Sequence, residues 1–193
     1  MKIIVIGAGA MGCLYGAYLS KHNNVTMLDV YEPQVESINQ NGITVLEEDG
    51  TEQHFSNIRA MKSGTCKEVA DLVIVFVKST HTESSLEENK ELFGENTLVM
   101  TLQNGAGNDR KIAKYVKTEN IIIGTSKHNS VNLGGGKIRH SGNGVTTIGS
   151  NLEENVHLQT VADLLSEAGF QSAVSDDIQR IIWSKLFVNL SIN

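Results

Sequence analysis

Proline occurs once in the 193 residues, cysteine twice, and no run of apolar residues is long enough for a membrane span. A lone proline and the lack of any low-complexity tract leave little room for disorder. Crossing a bilayer as a helix takes ~18 or more consecutive apolar residues. The apolar opening, Met1-Lys2-Ile3-Ile4-Val5-Ile6, is much shorter and runs straight into glycines, so it reads as a first buried strand rather than a secretion signal. Cys13 and Cys66 match no metal-ligand spacing and no disulfide framework. Free thiols of this kind fit a reducing cytoplasm. The net charge is -6 with the two signs interspersed. A nucleic-acid partner would want a basic patch, and the sequence has none, so neither nucleic acid nor membrane is expected as a partner.

Apolar residues make up 40% and charged residues 20%, the balance of a soluble globular chain. The length allows one sizeable core and the start of a second unit. Strand-like and helix-like segments alternate from the beginning. Residues 3–6, 25–30, 71–78, 97–102 and 121–124 are apolar runs expected to form strands buried on both faces. Between them, residues 10–21, 32–41, 84–93 and 108–116 read as helices, the second stopped by Gly42. Residues 43–58 read as one or two short strands around the turn signal Asp49-Gly50. This βαβ rhythm predicts a mostly parallel sheet with helices on both faces. It breaks after residue 125. There Ser141-Gly142-Asn143-Gly144, between residues 137–140 and 145–148, predicts a hairpin adding antiparallel strands at the sheet edge. An amphipathic helix over 153–168 ends at Gly169, and a last helix starts near Asp176.

Gly7-Ala8-Gly9-Ala10-Met11-Gly12 has the pattern G-x-G-x-x-G, directly after a strand and opening a helix. Gly7 permits the tight turn, Gly9 lets backbone approach a pyrophosphate, and Gly12 lets helix and strand pack closely. The helix N-terminus offers free N–H groups and partial positive charge to the phosphates. The fold class that follows is α/β, a Rossmann doubly wound sheet binding a dinucleotide. Asp29, at the end of the second strand, can accept hydrogen bonds from the adenosine ribose hydroxyls and would repel a 2′-phosphate. No arginine or lysine lies between Asp29 and residue 58. The cofactor is therefore NAD or NADP, with NAD favoured. The competing role for Asp29 is to cap the helix that begins at Glu32.

Ligands of doubly wound sheets bind outside the carboxyl ends of the strands. Lys78 ends one such strand, and Asn104 follows another within Gln-Asn-Gly-Ala-Gly, so both should line the cofactor cleft. The last helix is apolar nearly all round and should be buried. Yet Lys185, Asn189 and Asn193 recur every four residues, and each such step advances only about 40° round the helix, giving one polar stripe. Burying a lysine with no partner is costly, so the stripe faces either a wet cleft or solvent. In a cleft, partial desolvation would lower the ammonium's pKa and suit it to general-acid work.

On these residues the chain resembles the ketopantoate reductase (2-dehydropantoate 2-reductase) family. The opening KIIVIGAGAMG is shared with many dehydrogenases. DLVIVFVKS followed by TLQNGAG is more specific, GKIRHSGNGVTTIG resembles the family's glycine–histidine hairpin, and WSKLFVNLSIN is similar to its W-x-K-x-x-x-N-x-x-x-N helix. The resemblance implies reduction of a 2-keto acid to a D-2-hydroxy acid with a nicotinamide cofactor. It implies Lys185 as the general acid, Asn104 near the nicotinamide and the lysine, Asn189 and Asn193 at the substrate, and Lys78 at the cofactor. His140 matches the hairpin and is expected to be structural. Asp29 resembles the NAD-linked branch, which includes D-mandelate-type dehydrogenases. By the same resemblance residues 1–172 form the dinucleotide domain, and residues 173–193 open an all-helical domain of which the rest is absent, so the chain looks truncated. No metal is implied, and an uncovered last helix would favour a homodimer. The alternative is a dinucleotide-binding fragment or interaction module without turnover.

Overall fold

A computed structural model describes residues 1–142 and 144–192, with residues 188–192 described by backbone alone. The large sheet is built from β1 (Lys2–Ile6), β2 (Asn24–Asp29), β5 (Ile58–Lys62), β6 (Leu72–Val75), β7 (Leu98–Thr101), β8 (Ile121–Ser126), β11 (Thr146–Gly149) and β12 (Ser172–Val174). Its order is β12-β11-β8-β7-β6-β1-β2-β5. From β5 to β8 every pairing is parallel. The strands KIIVI, LVIV, LVMT and IIIGTS are buried almost throughout, as continuous apolar runs require when helices cover both faces. Strand order reverses between β1 and β6, and the turns leaving those two strands flank the crevice where such folds bind ligands.

A second sheet runs β4-β3-β10-β9, from β3 (Ile43–Leu46), β4 (Glu52–Phe55), β9 (Asn129–Gly134) and β10 (Lys137–Ser141). Between the two sheets lies α1 (Ala10–Leu19), which contacts β1 and β2 on one side and β3, β9 and β10 on the other. It has no polar face, and Gly12 to Leu19 are all buried. Helix α2 (Glu32–Asn41) packs on β2 and β5, α3 (Thr82–Glu88) on α4 (Asn108–Ile112), and α5 (Leu158–Ala168) on α1 and β12. The core divides into two clusters, one on each face of the large sheet, each large side chain contributing about 1.5–3 kcal/mol by burial.

Several elements differ from their sequence-based boundaries. The expected hairpin across residues 141–144 does not form. β10 pairs instead with β9, across Gly134, Gly135 and Gly136, which all take positive φ (88°, 60° and 75°). β11 leaves for the large sheet, where it lies antiparallel to β8. The turn at 134–136 can form only with residues tolerant of positive φ, and the free edge of β8 claims β11. The antiparallel edge is therefore present, built by a strand of different pairing. α3 stops at Glu88 because Asn89 turns its side chain back to the Ser85 carbonyl (2.8 Å) and to Ser63 Oγ (2.8 Å). α5 begins only at Leu158, since Asn155 Nδ2 holds the preceding loop to the Glu119 carbonyl (2.9 Å).

The last helix, α6 (Ile178–Ile192), departs most from expectation. Among the described residues it packs chiefly on β8 and β11. Ile178 is buried and Ile181 and Ile182 rest on the core, but Trp183 and Phe187 stay 47% and 66% exposed. Among the described residues no helix is long and apolar enough to cross a membrane.

Candidate active site

The glycine turn owes its shape to contacts that only glycine allows. Gly7 has φ +103°, and a Cβ there would meet the backbone of Phe76 and Val77 at 3.0 Å. A Cβ on Gly12 would lie 1.8 Å from the Gly7 carbonyl oxygen. Gly9 caps α1 with no side-chain hydrogen bond, and a Cβ on it would meet nothing within 4 Å. The N–H groups of the first turn, at Ala10, Met11 and Gly12, have no carbonyl within the helix to bond, whereas Cys13 N–H already bonds the Gly9 carbonyl at 2.8 Å.

Asp29 stands beside this turn. Its Oδ2 accepts from the Ala8 N–H (2.6 Å) and its Oδ1 from the Tyr31 N–H (2.9 Å). Asp29 thus braces the glycine turn and the residue before α2, but it does not cap that helix, whose N-cap is Tyr31 with no side-chain hydrogen bond. An ionised carboxylate offers about four lone-pair sites, so two remain for hydroxyl donors. Ala8 is gripped from the other side too: Gln34 Nε2 and Cys13 Sγ donate to its carbonyl at 3.0 and 3.2 Å. Burial pushes the Cys13 thiol up to about 12, so it stays a protonated donor. A cation that sequence order concealed is also close. Lys62 lies opposite Asp29 in the β2–β5 register, with its ammonium on Glu32 at 2.5 Å.

A cleft of about 1330 Å³ opens at the carboxyl ends of β6, β7 and β8. Met11 of the glycine turn, Lys78, Asn104 and Lys185 all line it, so four of the residues picked out in the sequence converge. Lys78 and Asn104 are exposed on its rim. The Gln103 side chain ties the two rim loops together, donating to the Val77 carbonyl and to Thr82 Oγ1 (2.9 Å). Lys185 is half-buried and donates from Nζ to the Ser126 carbonyl at 2.8 Å. Desolvation lowers its pKa from the usual lysine value. Asn189 lies further along α6, but its side chain falls outside the described residues, as does all of Asn193.

The charge distribution is more telling than the lysine alone. Lys2, Arg59, Lys62, Lys67, Lys90, Lys114, Lys117 and Lys137 each form an ion pair elsewhere on the surface. The four cations lining the cleft, Lys78, Lys127, Arg180 and Lys185, have no carboxylate within ion-pair distance among the described residues. Asp177 is the one acid among the lining residues. Lys21, Arg110, Lys111 and Arg139 also lie outside the ion pairs, but only Lys78, Lys127, Arg180 and Lys185 share this cleft among the described residues, and together they give it a local positive potential in a chain of net charge -6. Sequence reading missed Lys127 and Arg180, because nothing in their local pattern says which way they face.

The far wall of the cleft is residues 125–130. Thr125 Oγ1, His128 Nε2 and Ser130 Oγ are buried with no hydrogen-bond partner, and all three residues line the cleft. Behind them His128 Nδ1 meets His140 Nε2 at 3.0 Å, and His140 Nδ1 meets Glu47 Oε2 at 2.7 Å. His140 is thus buried in a polar chain rather than simply filling the sheet. Among the described residues no cluster of histidine, cysteine or carboxylate could hold a metal ion.

A doubly wound sheet, a glycine turn opening a helix and a cationic cleft at the switch point together define an α/β protein of the Rossmann class. Residues 3–153 match the family described as ketopantoate reductase PanE/ApbA, and the chain belongs to that family. It is 33% identical over 196 residues to a 2-dehydropantoate 2-reductase of Halobacterium salinarum, and 32% identical over 195 residues to one of Streptococcus pyogenes. Both alignments cover all of this chain, with 64% and 62% of the relative's length. Among solved structures, a D-mandelate dehydrogenase with NADH and anilino(oxo)acetate superposes with a TM-score of 0.91 at 30% identity, covering 98% of this chain and 61% of that one. A 2-dehydropantoate 2-reductase from Geobacter metallireducens gives 0.89 at 30% identity, with 98% and 62% covered. The chain thus spans less than two thirds of the length of these relatives.

Proposed function

We propose that this protein binds a nicotinamide dinucleotide along the glycine turn and cleft, and reduces a 2-keto acid such as 2-dehydropantoate to its D-2-hydroxy acid. The observation that carries the reading is Lys185: a half-buried ammonium with no carboxylate partner, in the same cleft as Met11, Lys78 and Asn104. Gly7 to Gly12 would hold the diphosphate against α1, Asp29 the adenosine ribose, and Lys78 the phosphates. Asn104 would orient the nicotinamide end, with Asn189 and Asn193 toward the substrate. The cofactor would supply the hydride. Lys185 holds a proton at Nζ, and its lowered pKa makes that proton easier to give to an oxygen that is gaining negative charge. The Ser126 carbonyl keeps the ammonium aimed across the cleft, so that less orientation is lost on reaction.

Asp29 supports NAD over NADP, because its carboxylate stands where a 2′-phosphate would come. Titration of NADH and NADPH by fluorescence tests this, and assays with 2-dehydropantoate and an aryl 2-keto acid test the reaction. Tighter binding of NADPH would overturn the role of Asp29. Dinucleotide binding without turnover is the second reading, favoured by the exposure of Trp183 and Phe187 on α6, which leaves Lys185 on a less firmly held helix. NADH binding with no oxidation dependent on a 2-keto acid would select it.

A further inference from the structure

Two of the four cations in the cleft have no task in the reaction proposed above. Lys185 is assigned the proton and Lys78 the cofactor phosphates, which leaves Lys127 and Arg180. Both line the cleft, and neither has a carboxylate within ion-pair distance among the described residues. Their place in the fold separates them from the diphosphate. The glycine turn follows β1, whereas Lys127 follows β8 and Arg180 lies on α6, which packs on β8. β6 and β7 stand between β1 and β8, so three strand spacings, roughly 14 Å in all, separate those two strands. Lys127 and Arg180 therefore belong to the Lys185 end of the cleft.

The geometry of α6 aims Arg180 at the same space as Lys185. On this helix and the residue just before it, Asp177, Arg180, Ile181, Ser184 and Lys185 line the cleft. They fall at i, i+3, i+4, i+7 and i+8, the spacing of one helix face. Arg180 and Lys185 stand at opposite margins of that face, about 7.5 Å apart along the axis, with Ile181 and Ser184 between them. The first turn is firmly held. Ile178 is buried, Gln179 Nε2 donates to Asn151 Oδ1 (2.8 Å), and Asn151 Nδ2 donates to Asp109 Oδ2 (2.7 Å). Asp177, the one acid lining the cleft, accepts the Arg180 backbone N–H at Oδ1 (3.3 Å), as a helix cap does. The nearest acid in the chain is thus turned to the backbone, and the guanidinium is left for a ligand.

We propose that Arg180 binds the carboxylate of the 2-keto acid, with Lys127 as a supporting charge on the β8 rim, and so selects 2-keto acids over ketones that lack a carboxylate. The proposal rests on the reductase reading above. A guanidinium presents paired N–H donors that match the two oxygens of a carboxylate, which an ammonium cannot do. In a 2-keto acid the carboxylate is bonded to the keto carbon, so one small ligand can meet Arg180 at its carboxylate and Lys185 at its keto oxygen. Lys127 directly follows Ser126, whose carbonyl holds the Lys185 ammonium at 2.8 Å. Two fixed points set the plane of the keto group, so that a single face meets the hydride donor.

Arg180→Gln keeps a polar side chain and removes the charged fork. KM for 2-dehydropantoate should rise about tenfold or more, with kcat within about threefold and NADH affinity within about twofold, because a group that holds ground state and transition state alike acts on KM. The preference in kcat/KM for a 2-keto acid over its methyl ester should fall about tenfold, a change that a merely structural loss would not produce. Arg180→Lys should restore part of that preference, and Lys127→Gln should raise KM less than Arg180→Gln does. An unchanged KM and acid-to-ester preference, a loss confined to NADH affinity, or a larger effect from Lys127→Gln would each overturn the anchor. Oxamate, an unreactive mimic of a 2-keto acid, gives a readout without turnover. It should bind the NADH complex of the wild type about tenfold more tightly than that of Arg180→Gln, and equal binding would overturn the anchor. A wild type that binds NADH but neither oxidises it with a 2-keto acid nor takes up oxamate removes the reductase reading itself, and the anchor with it.

Discussion

Two glycines within six residues of the end of β1 should respond oppositely to the same added methyl group. Gly9 has φ -73° and ψ -172°, an extended conformation open to any residue, and a Cβ on it meets nothing within 4 Å. Gly9→Ala should leave the fold intact and, by narrowing the unfolded ensemble, add about 0.4–1 kcal/mol of stability. The new methyl stands over the open N-terminus of α1, where a diphosphate must approach the backbone. NADH affinity should therefore fall at least tenfold, or about 1.4 kcal/mol. At Gly12 the same methyl would lie 1.8 Å from the Gly7 carbonyl oxygen, more than an ångström inside contact. Helix α1, buried between two sheets, has nowhere to retreat, so Gly12→Ala should cost about 1–3 kcal/mol or more. For a chain of this size each kcal/mol moves Tm by about 2–4 °C. Thermal unfolding and NADH fluorescence titration on the same samples separate the two effects. Undiminished NADH binding by Gly9→Ala, or an undisturbed Tm for Gly12→Ala, would refute the account of the turn.

Lys185→Ala should lower kcat by about 10²–10⁴ while leaving NADH affinity within about threefold, as measured by steady-state kinetics and titration. Burial holds the His128 pKa below the ordinary imidazole value of about 6.5. The folded protein therefore takes up a proton less readily than the unfolded chain, and stability should decline as pH falls through about 6.5. Urea midpoints at pH 7.5 and 5.5 should show that decline in the wild type and less of it in His128→Gln. Glu32→Gln should free the Lys62 ammonium beside Asp29 and narrow the preference for NADH over NADPH. Because that ion pair is exposed and worth only about 0–1 kcal/mol, Tm should hardly change while the NADPH titration does.

What the sequence revealed follows from which features are local. Strands β1, β6, β7 and β8 could be read because a strand covered on both faces must be apolar at every position. The glycine turn could be read because its backbone excludes other residues. Lys185 stood out because a cation on an otherwise apolar helix needs a polar destination. Pairings were harder. Residues 137–140 and 145–148 carry good hairpin signals, yet their partners are decided by the edges other strands leave free. Lys62 meets Asp29 only through the β2–β5 register, and Glu47 meets His140 across two paired strands of the small sheet. The exposure of Trp183 and Phe187 was equally hidden, since composition reports that a helix is apolar but not how many neighbours cover it.

Only Lys127 and His128 separate β8 of the large sheet from β9 of the small one. The short joint makes one piece of chain serve as the rim of the cleft and as the rivet between two layers. A shift of the small sheet must drag on the carbonyl that steadies Lys185, and a ligand pressing on that rim must push back on the small sheet. Surface changes in β3 or β4 are thereby placed in mechanical communication with the chemistry on the opposite side of α1.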